Sequence, residues 1–308
     1  MNPAPSRRQF LKTSLGTLTL TAGLGSLSSF AADAVAPRKR AMKKGFMLNA
    51  FPGRAMPVAK QFQLLKEAGF DGVEPRSHLN QDEVLRARDA TGLSIPSVTC
   101  GTHSRLLAQG ARSQWQGGVD GIQQALRDAK RYGASSILVV PGLVTENISY
   151  EENYQRTQAG IRACIPLAEE LGVTMAIENV WNNFLMSPME AARYVDEFKS
   201  AAVGFHLDIG NMMYLGWPEQ WIRTLGKRIA KVHIKEFSRK KMNQEGLRQG
   251  FQVEYLEGDN NWPAIMKALD DVGYRSWAIV EPAYKPKDVE GVERLKQISE
   301  RLDRIIAS

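Results

Sequence analysis

Four short segments in the C-terminal half of the chain each end in a side chain that can ligate a divalent cation: Met175-Ala-Ile-Glu178, Phe205-His-Leu-Asp208, Lys231-Val-His233 and Ala278-Ile-Val-Glu281. Two glutamates, one aspartate and one imidazole make an oxygen-rich set with a single nitrogen. Such a set suits a borderline-hard ion such as Mn2+, Co2+, Mg2+ or Zn2+ and excludes a thiolate site. Singly, the segments carry little: Glu178 or Glu281 would read as a helix-capping or ion-paired carboxylate, and His233 as a satisfied structural histidine. Their recurrence at the same place in four segments makes metal binding the better reading.

That place is the C-terminal tip of a buried strand. The run before each ligand is short, apolar and rich in Val, Ile or Phe, and Asn, Gly or Pro follows. Four earlier strands are expected at residues 45–49, 71–74, 94–100 and 136–140. Helices are expected over 58–68, 81–90, 118–132, 153–171, 188–198, 218–225, 262–272 and 289–306. Eight strand–helix units predict a parallel sheet closed on itself: an α/β fold, a single (β/α)8 TIM barrel over residues 45–308. Closure places every strand tip around one opening, so ligands far apart in sequence can meet at one ion. The connection over 237–261, rich in Lys, Arg, Gly and Asn, is the one irregular insertion and is expected over that opening. An open dinucleotide-binding sheet would need a glycine-rich phosphate turn after the first strand, and Phe51-Pro-Gly-Arg54 has neither the spacing nor the glycines.

Residues 1–34 read as a twin-arginine export signal: paired Arg7 and Arg8, Phe10-Leu11, a weakly apolar stretch over 13–32, and the small-residue cleavage pattern Ala32-Asp-Ala34. Interrupted by Gly, Ser and Thr, the stretch is too weak for a membrane span of ~20 apolar residues. A periplasmic or otherwise exported protein is expected, with the twin-arginine translocase as a transient partner and residues 35–44 as a linker. Substrates of that pathway cross folded and often loaded, so the metal would be selected in the cytoplasm. Loss of Arg7, Arg8, Lys12 and Asp33 lowers the formal net charge from +7 to +5. The remaining charge is spread along the chain without a basic, aromatic-interleaved stripe, which argues against a nucleic-acid partner. Cys100, ending a strand, and Cys164, inside a helix, read as separate core residues rather than a disulfide.

The barrel resembles the xylose-isomerase-like superfamily, in its sugar epimerase and hydroxypyruvate isomerase branch, across essentially all of residues 45–308. The matching motifs are Phe70-Asp-Gly-Val-Glu74, Ile177-Glu-Asn179, Leu207-Asp-Ile-Gly-Asn211, Val232-His-Ile-Lys-Glu236 and Val280-Glu-Pro282. The resemblance implies that Glu178, Asp208, His233 and Glu281 hold one divalent ion and that the two glutamates also move protons. It implies too that Arg239, six residues past His233, contacts substrate. Two positions depart from the ketose 3-epimerase pattern. Asn211 stands where those enzymes carry a histidine, and Phe184 where they carry a glutamate.

The implied chemistry moves a proton beside a carbonyl through an enediolate, with Glu178 and Glu281 on opposite sides of a metal-chelated substrate. Acid–base help of this kind is worth roughly 10²–10⁴-fold. The expected substrate is an unphosphorylated sugar or keto sugar, since Pro282-Ala-Tyr-Lys-Pro286 offers few amides to a phosphate. Further substrate contacts are expected from Glu74, His103, Asn211, Lys235 and, by stacking, Trp181, while His206 reads as a buried hydrogen-bonded residue. The alternative is a lyase or hydratase acting on 3-keto-glycosides or related oxidised sugars, favoured by Asn211, Phe184 and the export signal. Phosphodiester cleavage at a three-zinc site would need many histidines, and the chain has four, His78, His103, His206 and His233. In a non-catalytic binding protein, Glu178 and Glu281 would be ligands only. Oligomeric state is left open by the sequence.

Overall fold

A computed structural model describes residues 40–52, 56–284 and 291–308; the expected export signal and residues 35–39 of the linker lie outside them. The strands are β1 (Lys43–Met47), β2 (Gly72–Glu74), β3 (Ser97–Thr99), β4 (Ser136–Val139), β5 (Thr174–Glu178), β6 (Val203–Asp208), β7 (Ile229–Ile234) and β8 (Trp277–Val280). Each is followed by a helix: α1 (Val58–Glu67), α2 (Gln81–Thr91), α3 (Arg112–Tyr132), α4 (Tyr150–Leu171), α5 (Pro188–Asp196), α6 (Pro218–Leu225), α7 (Trp262–Asp271) and α8 (Gly291–Ala307). All strand pairs are parallel, in the order β2-β1-β8-β7-β6-β5-β4-β3. Between β2 and β3 the ring is joined by isolated bridges, Gly72 with Ser94 and Arg76 with Thr99. There the Val73 and Ser77 amides donate to the Ser94 and Thr99 carbonyls at 2.9 and 2.8 Å. Pro96 has no amide hydrogen to give, which fits a β3 shorter than the expected 94–100 segment.

Local chemistry sets the element ends. Asn80 caps α2 by accepting from the amides of Asp82 and Glu83, Ser149 and Glu152 form a reciprocal capping box at α4, and Ser187 caps α5 ahead of Pro188. Three differences from expectation have physical causes. β1 begins at Lys43, inside the expected linker, and residues 48–50 turn into a 3-10 segment that its strand pairing does not reach. Arg40 is also tied down, its Nε 2.9 Å from Asp270 and its Nη1 donating to the carbonyls of Ile306 and Ser308. Finally, α3 starts at Arg112 rather than near Gly118, and Gly118 marks a close approach inside the helix rather than its start: a Cβ there would lie 2.8 Å from the Leu107 amide nitrogen of the preceding short helix, Ser104–Leu107.

Strand alternation divides each strand between two environments. On β7, Val232 and Ile234 belong to the apolar layer under the helices, while Lys231, His233 and the following Lys235 reach polar partners inside the barrel. Cys100 and Cys164 are buried free thiols, and burial raises both above the ordinary thiol range. Among the described residues no helix is long and apolar enough to cross a membrane.

Candidate metal centre

Sheet register assembles the four expected ligands. Asp208 and His233 are direct partners across β6 and β7, and Glu178 pairs with His206, one inward-facing step below Asp208. Glu281 follows β8 immediately, its amide donating to the Ile234 carbonyl at 3.1 Å. One ligand atom from each of the four lies within 4.8 Å of the others. His233 Nδ1 faces Glu178 Oε1 at 3.3 Å, Glu281 Oε2 at 3.4 Å and Asp208 Oδ2 at 3.9 Å. Its other nitrogen, Nε2, is 2.7 Å from Glu74 Oε2. A proton on Nε2 donated to Glu74 leaves the Nδ1 lone pair turned toward three carboxylates, the arrangement by which an outer carboxylate orients a metal-binding imidazole.

Electrostatics make the same point. Burial pushes Asp208 up to about 8, with Glu281 and Glu178 adding to the effect against Lys235. Burial likewise raises Glu178. Burial works upward on Glu281 too, but Lys235 and His233 outweigh it and hold that carboxyl well below its usual range. His233 is held well above the usual imidazole range, since Glu74, Glu178 and Glu281 together overcome burial. Asp208 Oδ2 is buried without a hydrogen-bond partner among the described residues. Without an ion the carboxylates favour an imidazolium at His233; a divalent cation would replace its Nδ1 proton and satisfy that nitrogen, the orphan oxygen and the converging carboxylates at once. The residues present fit the expected ion.

The tips of β5 and β6 are clasped by Asn179, which sequence reasoning had not singled out, together with Asn211 and Lys235, which were expected at substrate. Asn179 accepts from the Asp208 amide and donates to the Asp208 carbonyl, both at 2.9 Å. Asn211 gives its amide to Asp208 Oδ1 at 2.7 Å and its side-chain nitrogen to the Asn179 carbonyl at 3.0 Å. Lys235 Nζ then bridges Glu281 Oε1 at 2.9 Å, Asn211 Oδ1 at 3.2 Å and Asp208 Oδ2 at 3.5 Å. Gly210 permits this approach, because a Cβ there would sit 2.8–2.9 Å from the Lys235 side chain and carbonyl. Asn179 was visible only as a letter in the Ile177-Glu-Asn179 motif; its two-point clasp depends on β6 lying alongside.

The other expected contacts are dispersed. Glu74 is fully buried behind His233. His103 is buried too, its Nε2 against the Val140 backbone at 2.9–3.0 Å, and burial lowers it to about 4. His206 packs edge-on to His233 with centroids 4.1 Å apart, and neither ring nitrogen has a hydrogen-bond partner among the described residues. The hydrogen bonding expected of it is absent there, and burial with the neighbouring His233 lowers it well below its usual range. Trp181 is half-buried and donates to the Asn211 carbonyl at 2.8 Å. Arg239 bonds the Gly216 carbonyl and lies 4.8 Å over the Trp217 ring. Phe184 is a core residue among Tyr150, Tyr154 and Tyr194.

The insertion over 237–261 contains a helix, Arg239–Glu245, and a 3-10 segment, Leu247–Phe251. It folds back until Phe251 packs on Trp181 at 4.8 Å, so it reaches the loop after β5. Glu236 fastens it: one carboxylate oxygen accepts from the Leu256 amide at 2.7 Å and from Trp262 Nε1 at 2.8 Å. Burial still pushes Glu236 up to about 7.

Comparison with known proteins agrees with the fold. Residues 62–305 match the family described as xylose isomerase-like TIM barrel, and the chain belongs to that family. It is 25% identical over 148 residues to an inosose dehydratase of Clostridium perfringens (strain 13 / Type A), covering 44% of this chain and 49% of that protein. The chain thus spans about half the length of the curated relatives it matches. Among solved structures, it is similar to the E. coli 3-keto-D-glucoside 4-epimerase YcjR, with a TM-score of 0.71 and 19% identity over 86% of this chain and 98% of that one. A D-psicose 3-epimerase solved in the presence of D-fructose gives 0.72 and 16% over 87% and 100%. At these identities the structural likeness establishes the shared fold.

Proposed function

We propose that this member of the xylose isomerase-like TIM barrel family is a divalent-metal-dependent isomerase or epimerase of an unphosphorylated sugar or keto sugar. The observation that carries the reading is the convergence of Glu178 and Glu281 on His233 Nδ1, at 3.3 and 3.4 Å, within one cluster of ligand atoms. Bound there, the ion would act as a Lewis acid on a carbonyl and its neighbouring hydroxyl. The protein's own groups do the rest. Glu178 and Glu281 each have a second carboxylate oxygen, so one can take the proton beside the carbonyl and the other return it from the opposite side. Lys235 holds Glu281 Oε1 and fixes the orientation of that carboxylate. The names of the similar proteins, sugar epimerases and an inosose dehydratase, support carbon-acid chemistry on polyols.

One observation favours the lyase reading as the second. Asn211 stands at the sequence position of the epimerase-type histidine, and its Oδ1 lies 3.2 Å from Lys235 Nζ, an ammonium that could protonate a departing oxygen. Deuterium exchange tests both readings. The metal-loaded protein is incubated in D2O with free ketoses and with methyl 3-keto-glucoside, and label is expected at the carbon beside the carbonyl. Release of methanol or an unsaturated product would select the lyase. Glu281→Gln should slow exchange about 10²-fold or more, and exchange at the wild-type rate would make Glu281 a ligand only. Export by the twin-arginine route completes the proposal; its support is Arg7-Arg8 and the weakly apolar stretch after them. Retention of an Arg7→Lys, Arg8→Lys variant in the cytoplasm would support it, and unchanged export would end it.

A further inference from the structure

Five large apolar side chains are exposed among the described residues: Met186, Met189, Tyr214, Trp217 and Leu247. All five follow β5, β6 or β7 and precede or begin the next barrel helix, so they share the rim beside Glu178, Asp208 and His233. Tyr214 continues an aromatic strip that starts at the candidate metal centre, and Trp217 stands three residues further along the same loop. Lys235 Nζ, in contact with Glu281 and Asp208, lies 4.9 Å from the Phe251 ring centre. Phe251 is 4.8 Å from Trp181, and Trp181 is 5.7 Å from Tyr214. Exposure rises outward, from half-buried Phe251 and Trp181 to Tyr214 at 46% and Trp217 at 53%.

Trp181 and Trp217 are held in place. Trp181 is pinned through its indole N–H to the Asn211 carbonyl. The Arg239 guanidinium, bonded to the Gly216 carbonyl, covers Trp217, and its Nε is buried without a partner among the described residues. A single sugar ring reacting at the four ligands would end near Lys235 and Phe251 and leave Tyr214 and Trp217 untouched. We propose that the strip from Trp181 to Tyr214 and Trp217 is an outer subsite for the second, non-reacting ring of a glycoside. This rests on the reading that the reacting sugar sits at the metal centre. Aromatic faces bury the C–H face of a sugar ring without forming charged contacts, and a preformed platform loses little entropy on binding.

The test uses the metal-loaded full chain, with methyl glucoside as the one-ring probe and cellobiose as the two-ring probe, titrated by calorimetry. Cellobiose should bind about tenfold tighter, the size of one aromatic stack. A Tyr214→Ala, Trp217→Ala variant should erase that preference while holding one-ring binding within about twofold and leaving the solution mass unchanged. Absence of a two-ring preference in the wild type, or equal loss for both probes, would overturn the subsite. So would a variant that keeps the preference but falls from dimer to monomer, since the strip would then bind a second copy of the chain. If neither keto sugar exchanges deuterium but the preference and its loss persist, the chemistry proposed above fails and the subsite stands. If exchange occurs without a preference, the subsite alone fails.

Discussion

The two halves of the barrel use the same unit for different work. On β5 to β8 every strand tip sends a side chain to one point: Glu178, Asp208, His233 and Glu281. On β1 to β4 the tips mostly hold one another. Asn49 donates to Thr99 at 3.2 Å, and His103 grips the Val140 backbone at the end of β4. Glu74 crosses between the halves, leaving β2 to orient His233 on β7. A closed ring of equivalent strands can therefore confine its reactive groups to one sector and use the opposite sector for rigidity.

The largest test of that division is Asp208→Ala, which removes one of the four proposed ligands from the converging sector. Metal content by elemental analysis should fall from one ion per chain to near none, with the far-ultraviolet dichroism of the barrel kept. Full occupancy would remove Asp208 from the centre. Next comes Glu74→Gln, which tests the crossing. It should weaken metal affinity about 10–100-fold, the usual size for an outer partner of a ligating imidazole. An unchanged affinity would reduce the first sector to scaffold alone.

A smaller effect is expected on stability. Burial raises Glu236 from 4.5 to about 7, so its protonated form favours the fold. The stability it contributes is fully present below about pH 4.5 and is lost as pH rises through about 7, a change of ~3 kcal/mol. Urea unfolding of Glu236→Gln should lack this decline, and an identical pH profile in the variant would refute the assignment. The smallest effect belongs to the holding sector. His103→Ala should cost ~1–3 kcal/mol of stability by leaving the Val140 amide unpaired, yet change metal affinity less than about twofold. A larger change in affinity or in deuterium exchange would return His103 to the reactive sector.

The sequence made the eight strands and the four converging side chains legible because both are periodic features: an apolar run, a polar side chain at its tip, a loop residue after it. Boundaries moved where a local signal had another cause, as at Gly118, which lies inside α3 against Leu107 instead of opening the helix. What stayed hidden is relational. Glu74 and His233 are 159 residues apart in the chain, and no spacing rule joins them. Lys235 was readable as sharing a face with His233, but its bridge to Asn211 needs β6 and β7 side by side. Arg239 was placed over the opening by motif alone; its observed partners, Gly216 and Trp217, belong to the loop after β6.

The alternation along β7 has a consequence for ion valence. Lys231 and Lys235, one inward step below and above His233, are buried cations on the barrel side of the strand. Around them stand four carboxylates, those of Glu74, Glu178, Asp208 and Glu281, each buried or nearly so. When all are ionised and His233 is neutral, the two lysines leave this interior two positive charges short. A dication brings it to neutrality, whereas a monovalent ion leaves it negative and a trivalent ion makes it positive, and net charge in a low-dielectric interior is costly. With an ion bound, charge parity would therefore favour a divalent one, while the oxygen-rich ligand set would select among the metals that share that valence.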